Sequence, residues 1–105
     1  MIIYEVNLTV NNSVAEQYEK WLTDHIREML SFEGFISADW YEVEGSESNK
    51  SVWSIHYRLK NRESLENYFR EHAQRMRQEG LRRFAGKFSA HRRILLQKEN
   101  LAAEA

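Results

Sequence analysis

Apolar and polar residues alternate in four short stretches of the chain, which is the pattern of β-strands that bury one face. The four predicted strands cover residues 2–10, 35–43, 51–59 and 88–96. In the second stretch, Phe35 and Tyr41 compete with Ile36 and Trp40 for the buried face. A β-bulge would reconcile the two sets, so we expect one there. The polar stretch EGSESNK (44–50) is expected to connect the second and third strands as a hairpin loop.

A first helix is predicted between strands one and two. Ser13 followed by Glu16 has the spacing of a capping box, so the helix is expected to start at Ser13. Gly34 is expected to mark its end. Its apolar stripe, at helical spacing, consists of Val14, Tyr18, Trp21, Leu22, Ile26, Met29 and Leu30.

A second helix is predicted between strands three and four, capped by Asn61 or Ser64. Gly80 is expected to end or kink it, and one more helical turn is closed by Gly86. The stripe expected to be buried consists of Leu65, Tyr68, Phe69, Ala73 and Met76.

The predicted order of elements is β-α-β-β-α-β, the split βαβ or ferredoxin-like pattern of an α+β protein. Right-handed crossovers then give a four-stranded antiparallel sheet of order 4-1-3-2 with two helices on one face. The other face is left bare, so we expect a second copy to cover it, as in a dimeric α/β-barrel. Residues 1–97 are expected to form the single domain, and residues 98–105 a frayed tail.

The bare face allows a prediction of strand register. Pairing Glu5 with Arg58 and Asn7 with His56 matches polar partners across strands one and three. The same register pairs Tyr4 with Leu59 on the helix face. We expect a polar centre that sets the register of the dimer and is not catalytic. Its residues are Glu5, Asn7, His56, Arg58, His91 and Arg93.

Composition restricts the class of protein. The chain has 105 residues, of which 42% are hydrophobic and 30% charged, as in an ordinary soluble domain. It has no cysteine, which excludes disulfides and thiolate metal sites. No apolar run is long enough for a membrane helix, and the first ten residues alternate instead of forming a signal peptide. We therefore expect a cytoplasmic protein with no membrane partner.

Charge is distributed unevenly along the chain. Residues 1–59 carry four Lys/Arg and ten Asp/Glu, whereas residues 60–98 carry eleven and four. The favoured interpretation is that the two halves pack together; the alternative is an anion site in the second half. Acidic residues interleave with Arg75, Arg77, Arg82 and Arg83, and no aromatic platform accompanies them. These features argue against a nucleic-acid partner.

Five residues are candidates for a ligand pocket. His25 lies one helical turn after Trp21, and His72 one turn after Tyr68, so both histidines could line a space between helices and sheet. There they could serve as a general base or as hydrogen-bonded core residues, and we favour the second role. Two histidines alone make a poor metal site, so no metal is expected. The fifth candidate is Arg92, on the helix face of the last strand.

Arg92 is unusual because an arginine on a buried strand face must pair with an anion, extend to solvent from the sheet edge, or bind an anionic ligand. Because its strand is an edge strand, Arg92 can extend to solvent. Pairing with an anionic residue and binding an anionic ligand also stay open.

The second helix and last strand contain HAQRMRQEGLRRFAGKFSAHRRILL (72–96), and the first strand reads MIIYEVNLTV (1–10). With these motifs the chain resembles, over about residues 1–97, a bacterial family of small proteins with a domain of unknown function. That family is similar to the dimeric α/β-barrel superfamily, which includes antibiotic-biosynthesis monooxygenases, haem-degrading monooxygenases and ligand-sensing domains. The resemblance implies the fold and a homodimer, but no single chemistry.

The haem-degrading relatives use an asparagine on the first strand with a tryptophan and a histidine on the second helix. The resemblance would assign Asn7 and His72 to two of these roles, with Tyr68 and Phe69 standing where the tryptophan is needed. Asn7 is also predicted to face away from the helices. Both departures argue against haem, and no cofactor is expected.

The function expected from the sequence is that of a small homodimeric domain that binds a ligand or has a structural role. The alternative is a cofactor-independent monooxygenase-like or isomerase-like enzyme. In either case the small-molecule partner would be aromatic or anionic.

Overall fold

The computed structural model describes residues 1–45 and 48–104. The strands are β1 (Ile2–Asn11), β2 (Phe35–Glu42), β3 (Lys50–Leu59) and β4 (Phe88–Leu96). The helices are α1 (Ala15–Met29), α2 (Arg62–Glu71) and α3 (Ala73–Phe84), and a short 3-10 turn (Asn12–Val14) precedes α1. Part of the predicted hairpin loop, residues 46 and 47, lies outside the described residues. No helix in the described ranges combines the length and apolar character that a membrane crossing needs.

The four strands form one antiparallel sheet of order β2-β3-β1-β4, as predicted. Alternation places every second side chain of the central strands β1 and β3 against the helices. These buried residues are Ile2, Tyr4, Leu8 and Val10 of β1, and Trp53, Ile55, Tyr57 and Leu59 of β3. The expected bulge in β2 is confirmed, because its register against β3 shifts between Phe35 and Ser37. The α+β ferredoxin-like fold is therefore confirmed.

The predicted register of β1 against β3 is wrong by two residues. Glu5 lies opposite His56, not Arg58, and Tyr4 lies opposite Tyr57. A shift of two keeps every side chain on its predicted face, so the hydrophobic pattern could not exclude it. Glu5 forms its ion pair with Arg93 of β4, which lies opposite it, so Glu5 does not need Arg58 as a partner.

The predicted bounds of the first helix also need correction. Asn11, and not Ser13, is the capping residue: its side-chain oxygen accepts the backbone N–H of Ser13 at 2.9 Å and starts the 3-10 turn. Helix α1 ends at Met29, before the predicted end at Gly34. Gly34 has φ +85°, and a Cβ there would collide with the Ser64 side chain, so the glycine serves the turn into β2.

The predicted second helix is divided into α2 and α3. The helix begins with Asn61 as its cap, one of the two predicted residues, accepting the Ser64 N–H at 2.9 Å. The break lies at His72 and not at Gly80, through which α3 continues. At Gly80 the missing side chain leaves room for the Trp21 ring, which lies 3.1 Å from where a Cβ would be. The predicted turn closure at Gly86 is confirmed by its φ of +78°.

The molecule is a flat slab of 41 × 40 × 19 Å, with one layer of helices on one layer of sheet. Its radius of gyration is 14.8 Å, larger than the roughly 13 Å typical of a compact domain of this length. Among the described residues, no helix or strand forms a layer on the open sheet face, opposite the helices.

Candidate functional site

A cavity of about 330 Å³ lies between the helix face of the sheet and helices α1 and α3. Strands β1, β3 and β4 supply its floor. Three of its lining residues, Arg77, Leu81 and Ser89, are exposed, so it opens to solvent between α3 and β4. Gly80 is a lining residue as well, and the close approach of Trp21 to it holds α1 beside α3.

The wall of the cavity is rich in aromatic side chains with polar ends. Four tyrosines contribute to it: Tyr4, Tyr18, Tyr57 and Tyr68. Burial raises the pKa of Tyr18, Tyr57 and Tyr68 above the ordinary tyrosine value. These phenols therefore stay neutral at physiological pH and can donate hydrogen bonds.

Two arginines face this aromatic wall. The Arg77 guanidinium donates a hydrogen bond to the Tyr4 hydroxyl at 3.0 Å and lies 6.0 Å from the centre of the Phe69 ring. Arg92 lines the cavity from β4 and is half-buried. Its positive charge counteracts the rise in the pKa of the three buried tyrosines. Arg92 is thus close enough to act on the interior of the cavity.

His25 completes the polar part of the wall. Its ring stacks on Trp21 at 4.6 Å between centroids, and its Nδ1 is buried without a hydrogen bond to any described residue. The Glu79 carboxylate of α3 lies 3.9 Å from this Nδ1. Burial lowers the pKa of His25 to about 4, so the imidazole is neutral at physiological pH.

The structure brings four of the five pocket candidates, Trp21, His25, Tyr68 and Arg92, to this cavity. The fifth, His72, is not among the lining residues. It sits at the break between α2 and α3, where its ring stacks on Phe32 at 4.0 Å with an interplanar angle of 7°. The expected shared space for His25 and His72 is therefore not formed.

Sequence reasoning missed the polar ends of Tyr4, Tyr18 and Tyr57, which it treated as core residues, and it considered Arg77 only as a surface cation. A signal was present, because a tyrosine on a buried face needs a partner for its hydroxyl. Several of them on facing elements indicate a space with polar groups inside it.

The residues do not fit haem. Asn7 lies on the open sheet face, where its side chain donates to Glu5 at 2.8 Å, and His72 is stacked away from the cavity. Asn7 and His72, which the haem-degrading relatives would require in one site, thus lie on opposite sides of the sheet, and neither lines the cavity. Among the described residues, no group of three or more His, Asp and Glu could hold a metal ion.

The open sheet face carries a second polar cluster, centred on Glu5. Its carboxylate accepts two hydrogen bonds from Arg93, at 2.5 and 3.2 Å, and lies 3.2 Å from His56 Nε2. Glu5 is only 4% exposed although no layer covers it, because these neighbours enclose it. Hydrogen bonding from Arg93, opposed by burial and aided by Asn7, lowers the pKa of Glu5 to about 2.

The remaining interface candidates lie on the same face. Arg58 pairs with Asp39 of β2 at 2.5 Å and donates to Ser37 at 3.2 Å. His91 is exposed on β4, opposite Asn7. All six predicted interface residues thus share the open face, although Arg58 belongs to a pair with β2 and not to the Glu5 cluster.

Several solved structures share this fold. A protein from Deinococcus radiodurans provisionally named an antibiotic biosynthesis monooxygenase has a TM-score of 0.74 and 10% identity, with 100% of both chains covered. SnoaB, a cofactor-independent oxygenase from Streptomyces nogalater, has a TM-score of 0.71 and 10% identity over 97% of this chain and 98% of its own. A dimeric ferredoxin-like protein from an uncultured marine organism has a TM-score of 0.72 and 14% identity over 98% and 100%.

At these identities the likeness establishes the fold alone. No protein with a curated description matches the chain significantly in sequence. The model of one family, Domain of unknown function (DUF4286), matches residues 1–98, nearly the whole chain. The chain therefore belongs to the DUF4286 family.

Proposed function

We propose that this protein is a homodimeric ligand-binding domain that holds a small aromatic molecule between its helices and its sheet. The observation that carries this proposal is the cavity of about 330 Å³, whose wall combines aromatic rings with a few polar groups. Small-molecule sites generally have this composition, and their volumes start near this size. Residues 1–97 form the functional unit, and its site of action is the cytoplasm.

Binding can be tested with a neutral aromatic probe, 2-naphthylmethanol, by isothermal titration calorimetry. Ala90 lines the cavity, so Ala90→Phe should fill it and abolish binding. Ala85 is exposed and outside the cavity, so Ala85→Phe is a matched control that should bind like the wild type. Equal binding by Ala90→Phe, or a wild type that binds neither this probe nor the anionic 2-naphthoate, would contradict the proposal.

The dimer forms through the open sheet face in this proposal. Four strands and about nine residues per strand give a face of roughly 600 Å² in projection, large enough for a stable interface between two copies. The Glu5 cluster is already paired within one chain, so it can be covered without leaving an isolated charge. Its directional hydrogen bonds would fix how the two sheets align. The marine ferredoxin-like protein of the same fold is likewise dimeric.

Light scattering tests the dimer. The wild type should have about twice the chain mass of 12.6 kDa at micromolar concentration. Thr9→Arg places a charge on the open face and should give monomers, whereas Gln78→Arg on the exposed side of α3 should not. A monomeric wild type, or a dimeric Thr9→Arg variant, would refute this interface.

A second function, that of a cofactor-independent oxygenase or isomerase, is favoured by one observation. His25 lines the cavity as a neutral imidazole, with the Glu79 carboxylate 3.9 Å from its Nδ1. A neutral imidazole can take a proton from a bound phenol, and the carboxylate would stabilise the imidazolium. Its low pKa, about 4, makes it a weak base, so binding remains the first proposal.

Oxygen consumption with 1-naphthol, without added metal or flavin, tests this second function. Consumption that depends on the wild type and is lost in His25→Phe would support catalysis. Consumption equal to that of buffer would leave ligand binding alone.

A further inference from the structure

Arg92 has no counter-ion among the residues that the structure describes. Among the described residues, no carboxylate lines the cavity, and Arg92 makes neither a hydrogen bond nor an ion pair. Arg77, the other cavity arginine, differs because it is already bonded to the Tyr4 hydroxyl. Withdrawing a guanidinium from water without pairing it costs free energy, so Arg92 is poised to gain from an incoming anion.

The groups around Arg92 cannot neutralise it. Tyr18, Tyr57 and Tyr68 remain neutral phenols, because burial raises the pKa of each. His25 is neutral as well, since burial lowers its pKa to about 4. The cavity therefore has a positive interior and hydroxyl donors, a combination that favours an anion over a neutral or cationic ligand.

We infer that the cavity selects a small planar aromatic anion, with its acidic group on the Arg92 guanidinium and its rings against the aromatic wall. This inference rests on the proposed ligand-binding function and specifies the class of ligand. The volume of about 330 Å³ suits one or two fused rings. A carboxylate can accept two parallel N–H bonds from a guanidinium, which orients the ring plane.

Calorimetry at neutral pH with two probes of the same shape tests this class. The probes are 2-naphthoate, an anion, and 2-naphthylmethanol, its neutral counterpart. The wild type should bind naphthoate about 10- to 100-fold more tightly, the range expected for a charge-assisted hydrogen bond that is desolvated. Arg92→Met should remove this preference while leaving the affinity for the neutral probe within about threefold.

Two further variants make the result specific. Arg83→Met removes the same charge from an exposed position of α3 outside the cavity and should keep the wild-type preference. Arg92→Lys keeps the charge but loses the paired donors, so it should retain part of the preference. Circular dichroism and thermal melting establish that each variant is folded.

The outcomes separate the two proposals. If the wild type binds both probes equally, or if Arg92→Met keeps its preference for naphthoate, the anion inference is wrong and ligand binding stands. If the wild type binds neither probe, the ligand-binding proposal fails and the anion inference fails with it.

Discussion

Replacing Glu5 by glutamine tests the electrostatic account of the open face. The Arg93 guanidinium lowers the pKa of Glu5 from the ordinary 4.5 to about 2. The folded-state pKa is the lower one, so the ionised carboxylate stabilises the fold above about pH 4.5, and this contribution is lost as the pH falls towards 2. One pKa unit corresponds to about 1.4 kcal/mol, which gives an upper bound of roughly 3.5 kcal/mol for this difference.

The expected loss is smaller than this bound. The Arg93 side chain is 59% exposed, so solvent screens its interaction with Glu5. When the Glu5 carboxylate is removed, the Arg93 guanidinium remains hydrated and does not become a buried unpaired charge. We expect Glu5→Gln to lower the free energy of unfolding by about 1–2 kcal/mol at neutral pH. The loss should shrink as the pH approaches 2, because the wild-type carboxyl is then protonated.

Urea denaturation at a fixed protein concentration measures both effects. Glu19→Gln is the control, because Glu19 is exposed and its carboxylate has no partner among the described residues. If Glu5→Gln unfolds with the wild-type free energy at neutral pH and shows the same pH dependence below 4.5, the stated role of the Glu5–Arg93 pair is refuted.

Three further changes test separate parts of the structure. Gly34→Ala should cost about 3 kcal/mol, from a positive φ and a collision with Ser64. Gly45→Ala has a similar φ and no described atom within 4 Å of the added Cβ, so it should cost about 1 kcal/mol; equal losses of stability in urea denaturation would contradict the close packing at Gly34. His25→Phe should leave stability at neutral pH unchanged or raise it by about 1 kcal/mol, since it removes a buried unpaired nitrogen. In the wild type, the pKa of His25 is lower in the folded state than in the unfolded state, so stability should fall as the pH drops from about 6.5 to 4. His25→Phe should abolish this loss; a loss that persists in the variant would show that another group titrates in this range. Deleting residues 98–105 should leave the melting temperature within about 1 °C, since 97–104 have no regular structure; a larger drop would show that the tail packs on the domain.

The faces of the strands could be predicted from the sequence, but the register could not. Period-two alternation determines which side chains of β1 and β3 are buried, and a two-residue shift preserves it. Two arginines on different strands, Arg58 of β3 and Arg93 of β4, were possible ion-pair partners for Glu5. Only the packed sheet distinguishes them, because Arg58 lies nearer Asp39 of β2.

The break in the second helix could not be predicted from the sequence either. Residues around His72 include no proline or glycine, and the nearest helix breaker, Gly80, was the natural choice. The structure places the break where the His72 ring stacks on Phe32, a contact between elements distant in sequence. Gly80 instead provides space for Trp21, a role that depends on the packing of two helices.

The candidate site could be predicted in part. Trp21, His25 and Tyr68 follow from the phase of each helix, and Arg92 from the alternation of β4. The volume left between these residues depends on how far the helices stand from the sheet, which no local pattern encodes.

A crystal structure of the protein with 2-naphthoate tests the Arg92 site most directly. We expect the ligand in the cavity between β4, α1 and α3, with its carboxylate about 3 Å from the Arg92 guanidinium. Naphthoate bound on the open sheet face, or in the cavity with its carboxylate directed away from Arg92, would contradict this expectation.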